Sequence, residues 1–149
     1  MNRLDSRLIF LVYVAIKYAA YTAWCYAGLR WLMQRNSFRA GMGFGFTRLL
    51  LGVFFGVGIF IAGGMLHLDV PVHPVLMYFS IYAPVRYVEW TILLLLLRGL
   101  NPPPSPSGWW QQQAWILGGI VISHLADLPL ILTSSDGTKD FLPVGRFLC

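Results

Sequence analysis

Four apolar blocks of about twenty residues each dominate this chain and leave it few ways to fold. They run from about Leu8 to Leu29, Leu49 to Leu66, Val75 to Leu97 and Trp109 to Leu132. A helix needs roughly 20 apolar residues to cross the hydrocarbon core of a bilayer. Backbone groups in lipid must bond within their own segment, so a run of this length reads as a helix; apolar strands so long would not build a barrel. The predicted fold class is an all-α integral membrane protein, a four-transmembrane-helix bundle with both termini on the same side. Residues 1–149 form one polytopic domain, with a Pro-rich loop at 101–108 and a C-terminal tail at 133–149. Composition agrees: 57% of residues are hydrophobic and 11% charged, against about 25% charged in a soluble domain. Mean hydropathy is +0.64. The first block is too long for the apolar stretch of a signal peptide, so it is expected to stay as a span.

An even number of spans puts the loops 30–48 and 98–108 on one side of the membrane. That side carries Arg30, Arg35, Arg39, Arg48 and Arg98; the other carries Arg3, Arg7, Lys139 and Arg146. The positive-inside rule then makes the two loops cytoplasmic and the termini external, as for a multi-pass protein of a bacterial inner membrane. Trp31 and the pair Trp109-Trp110 close and open their spans where amphipathic rings prefer to sit. The net charge of +5 resides mainly in loop arginines, which suit anionic headgroups rather than nucleic acid, since no basic face of useful length lies outside the spans. The two cysteines, Cys25 and Cys149, fall at opposite faces of the predicted bundle, and no Cys-x-x-Cys occurs, which removes thiol exchange.

Five titratable residues lie inside the apolar blocks: Lys17, Arg86, Glu89, His124 and Asp127. A charge near the bilayer centre costs at least about 2.5–3.5 kcal/mol on insertion scales, so such a residue has a partner or a function. Helical spacing gives each a polar neighbourhood. Lys17 shares a face with Tyr13, Tyr21, Trp24 and Gly28. Arg86 shares one with Phe79, Tyr82, Glu89 and Trp90, and Asp127 one with Ser123, His124 and Ile131. The expected substrate- or ion-binding set is Lys17, Tyr82, Arg86, Glu89, His124 and Asp127. Arg86 is placed to reach Asp127 or Glu89, with Lys17 taking the remaining carboxylate. The four permanent charges sum to zero, and His124 is the group that titrates near neutrality. Pro84 and Pro129 stand two residues from Arg86 and Asp127 and are expected to kink their helices. Broken helices beside charges occur at transporter binding sites, although prolines are also simply tolerated in membrane helices.

The second block carries no charge after Arg48. Gly45, Gly52, Gly56 and Gly63 fall on one narrow helical face, and small residues allow close helix packing in lipid. This block is expected to be the packing helix, within the chain or between subunits. No cofactor is expected. The alternative is a metal held by His67, Asp69, His73 and His124, or haem, without a recognisable ligand motif. The expected role is a subunit or accessory and assembly factor of a larger membrane complex, with the lipid bilayer and other membrane subunits or further copies as partners. Two alternatives use the same charges. One is an oligomeric proton-linked transporter of a small solute. The other is a membrane-embedded enzyme on a lipid or isoprenoid, with Glu89, His124 and Asp127 as candidate acid/base groups and Arg86 holding an anionic headgroup. The balance leans away from an enzyme: no Walker loop, H-E-x-x-H or nucleophile motif occurs.

Overall fold

A computed structural model describes residues 3–66, 74–100 and 108–133 of the chain. These form four helices, α1 (Arg3–Leu32), α2 (Phe38–Leu66), α3 (Pro74–Leu100) and α4 (Trp109–Thr133). No strand occurs among the described residues. The expected Pro-rich connector at 101–107, the loop 67–73 with His67, Asp69 and His73, and the tail beyond 133 lie outside them.

Each helix packs on its neighbours in a ring, α1 on α2 and α4, and α3 on α2 and α4. Paired contacts fix the α1–α2 and α1–α4 directions as antiparallel. Gly41 meets Tyr26 while Gly45 meets Thr22. Trp115 meets Trp24 while Asp127 meets Tyr13. The start of α1 and the end of α4 therefore share one end of the bundle.

Local chemistry sets the helix ends. Gln34 takes the left-handed conformation at φ 53°, and the Arg35 N–H turns back to the Leu29 carbonyl at 3.0 Å. Ser37 caps α2, its Oγ accepting the Ala40 N–H at 3.3 Å. Gln111 reaches back from the first turn of α4 to the Gly108 N–H at 3.1 Å, which is half of a capping box.

One expectation is corrected here. The second span was expected to begin at Leu49, but α2 begins at Phe38. Arg39 and Arg48 are helical, since a helix starts at its cap and not where its apolar run begins. Both prolines lie within continuous helix, Pro84 in α3 and Pro129 in α4, which runs on to Thr133.

Among the described residues one stretch, Phe38–Ile59, is long and apolar enough on length and composition to cross a membrane. The other helices have the length, at 30, 27 and 25 residues.

The interior is layered. Nearest the α1–α2 turn is an apolar core of Cys25, Leu29, Leu32, Met33, Leu93, Leu97, Trp115 and Ile116. Its joint is a reciprocal clasp. The Trp24 Nε1–H donates to the Trp115 carbonyl at 3.1 Å, and the Trp115 Nε1–H donates to the Trp24 carbonyl at 3.3 Å. Glycines make room for the rings. A Cβ on Gly28 would strike the Trp115 indole, one on Gly118 would strike Trp24, and one on Gly119 would lie 2.5 Å from Trp90. Gly43, by contrast, has nothing within 4 Å of its missing Cβ.

Two alanine substitutions separate these environments. Gly28→Ala should destabilise the protein by about 1–3 kcal/mol through overpacking. Gly43→Ala should be neutral or stabilising by up to about 1 kcal/mol, because alanine is the better helix former. Denaturant unfolding of the purified chain in mild detergent, followed by helical circular dichroism, measures both. Equal effects would refute the close-packing account.

Candidate functional site

Beyond the apolar layer the interior is charged. Lys17, Arg48, Arg86 and Glu89 are each 0% exposed and Asp127 is 6% exposed. They form two clusters, one turn apart along α3.

The first cluster is built on the Asp127 carboxylate. Lys17 Nζ donates to Oδ1 at 2.7 Å, and the Tyr13 hydroxyl donates to the same oxygen at 2.5 Å. Arg86 Nη2 donates to Oδ2. Lys17 also donates to the Tyr13 oxygen at 2.9 Å, and its ammonium stands 5.2 Å from the Tyr13 ring centroid. Tyr13 and Lys17 are neighbours one turn apart on α1. Thus α1, α3 and α4 all meet at one carboxylate. Charge-assisted bonds of this kind are roughly twice as strong as neutral ones, and both carboxylate oxygens are engaged.

The second cluster joins α2 to α3. Arg48 Nη2 lies 2.6 Å from Glu89 Oε2. The Arg48 guanidinium is 5.0 Å from the Tyr21 ring and 5.1 Å from the Trp90 ring. Those two rings meet edge to face at 5.9 Å. The Trp90 Nε1–H donates to Ser123 Oγ at 3.2 Å, which ties this cluster to α4. Arg48 Nε and Nη1, Glu89 Oε1 and the Tyr21 hydroxyl have no hydrogen-bond partner among the described residues. Aromatic faces therefore stand where hydrogen-bond acceptors would otherwise be, a setting that guanidinium tolerates better than ammonium.

The expected pairing is corrected. Lys17 and Arg86 were expected to divide Glu89 and Asp127 between them. Both go to Asp127, and Glu89 pairs with Arg48. Arg48 had been placed in the loop, which left the permanent charges summing to zero. It is a fifth buried charge, so the described interior holds three cations and two carboxylates. The signal was in the spacing. Arg48 follows Gly45 by three residues and precedes Gly52 by four, so it belongs to the glycine face of α2. Gly45, Gly52 and Gly56 are buried on that face, and a Cβ on Gly45 would lie 2.5 Å from Thr22 Oγ1. Gly63 lies near the end of the same helix.

Two other sequence candidates lie one turn from ion-paired residues on their own helices. His124 is half-buried one turn before Asp127, and its Nδ1 bonds the Ile120 carbonyl of its own helix at 2.8 Å. Tyr82 is half-buried one turn before Arg86. No group of three or more His, Cys, Asp or Glu side chains able to hold a metal occurs among the described residues. His67, Asp69 and His73 fall outside them.

In comparisons with known proteins, no family model, no curated protein and no solved structure matches this chain. The site is thus read on its own geometry.

The two clusters make different demands on mutation. Asp127→Leu strands two buried cations and should destabilise by about 3–5 kcal/mol. For the second cluster, Arg48→Met and Glu89→Leu should each cost about 3–5 kcal/mol, whereas the double variant should cost less than either alone. Denaturant titration in detergent measures the cycle. Additive single effects would show that the pair is not coupled.

Proposed function

We propose that this chain is an integral membrane protein whose four helices cross a lipid bilayer, and that it serves as a non-catalytic subunit of a larger membrane assembly. The observation that supports bilayer residence is the inverted distribution of polarity. The most buried side chains include three cations and two carboxylates, while Leu8, Leu11, Phe54 and Leu95 on the outer wall are 62–74% exposed. A water-soluble fold places such groups the other way round. In lipid the arrangement is the stable one, since ionised groups face the bundle interior and pair with one another.

The subunit reading rests on how these charges are used. Asp127 binds three donors from two other helices, and α3 and α4 run unbroken past their prolines. Such a network fixes the mutual positions of helices. On α2, the face opposite the buried glycines carries Gly43, Phe46, Leu50, Phe54 and Ile61, all exposed. A smooth apolar helix face with an open glycine suits another membrane helix.

Alkaline carbonate should leave the chain in the membrane pellet; its release would exclude an integral location. In mild detergent the wild-type chain should run at more than one chain's mass by light scattering. Gly43→Leu should lower that mass without loss of helicity, because bulk at an open position disturbs only a neighbour. A monodisperse single chain for the wild type would sink the subunit reading.

A further inference from the structure

Among the described residues, the α1–α2 end of the bundle is basic. Arg30 ends α1, Arg35 lies in the turn, Arg39 begins α2, and all three are exposed. Arg98, at the same end on α3, is half-buried and donates to Gln112 Oε1 of α4 at 3.1 Å. The sequence has no Asp or Glu between Asp5 and Asp69, or between Glu89 and Asp127. No acidic residue among the described residues therefore lies at this end.

Exposed aromatic rings occur at the same end. Trp31, Phe38, Trp109 and Trp110 are 49–78% exposed, and Trp109 and Trp110 meet edge to face at 4.5 Å. The turn that presents the arginines is held firmly. Arg35 N–H bonds the Leu29 carbonyl, Ser37 caps α2, the Tyr26 hydroxyl donates to Asn36 Oδ1, and the Tyr26 ring meets Phe38 at 6.0 Å. Three guanidinium groups on a short, braced turn, rimmed by indoles, match a phosphate layer that lies above hydrocarbon.

We propose that this end is a binding surface for anionic phospholipid headgroups, with Arg30, Arg35 and Arg39 engaging the phosphates and Trp31, Trp109 and Trp110 seated at the glycerol level. The proposal rests on bilayer residence and goes beyond it by naming the lipid class and the end that holds it. Arginine suits the task, since its planar fork pairs with phosphate through two parallel bonds.

The exposed tryptophans at this end provide the readout. The full chain is reconstituted in phosphatidylcholine vesicles that contain either brominated phosphatidylglycerol or brominated phosphatidylcholine, and quenching of tryptophan fluorescence gives the relative affinity. Phosphatidylglycerol should be preferred by roughly fivefold or more, about the worth of one basic residue at an anionic surface. The preference should shrink as salt is raised. It should fall to parity in R30Q/R35Q/R39Q and persist in R30K/R35K/R39K. Equal quenching by the two lipids in the wild type, or an undiminished preference in R30Q/R35Q/R39Q, overturns the proposal. Carbonate extraction of the same vesicles separates the two ideas. A chain that resists extraction yet shows no lipid preference refutes the headgroup surface alone, and a chain that is extracted refutes bilayer residence.

Discussion

One carboxylate holds the bundle together. Asp127 on α4 receives Lys17 and Tyr13 from α1 and Arg86 from α3. Replace it with an apolar residue and two fully buried cations lose their shared ion-pair partner, leaving three buried cations against the single carboxylate of Glu89. The strength of the arrangement lies in its low dielectric surroundings, where charge-assisted bonds gain and unpaired charges become costly. Its register is narrow, because Tyr13 and Lys17 must occupy adjacent turns of α1 to reach the same oxygen.

The other helix contacts complement this site without charge. Glycines at positions 28, 118 and 119 let indole rings lie against backbone, and α2 approaches α1 through Gly41 and Gly45. These contacts are dispersion-dominated, and they depend on the absence of a Cβ rather than on the presence of any one side chain. The reciprocal bonds of Trp24 and Trp115 give the same interface a direction. Arg48 shows how the two kinds of packing combine. Its glycine neighbours on α2 admit it to the interior, and Tyr21 and Trp90 then enclose its guanidinium.

Much of this was legible in the sequence. The apolar blocks gave four helices, and i, i+3 and i, i+4 spacing put Tyr13 beside Lys17 and Ser123 beside Asp127. What spacing within a helix cannot give is the rotation of one helix against the next. Glu89 follows Arg86 by one turn, yet it points to Arg48 on α2. The choice depends on where α2 stands, and that is a property of packing. Arg48 itself was hidden by a boundary error. An apolar-run criterion starts the second helix at Leu49, whereas the Ser37 cap starts it at Phe38.

The 110-residue separation of Lys17 and Asp127 acquires meaning during synthesis. At roughly 5–20 residues per second, the lysine leaves the ribosome several seconds before its counterion exists. If α1 enters a bilayer as proposed above, it does so carrying an uncompensated ammonium, and so does the Arg48 of α2 until Glu89 is made. Neither helix is then a self-sufficient insertion unit. The order of the charges along the chain, cations first and carboxylates last, makes the final helix the one that completes the buried charge pairing.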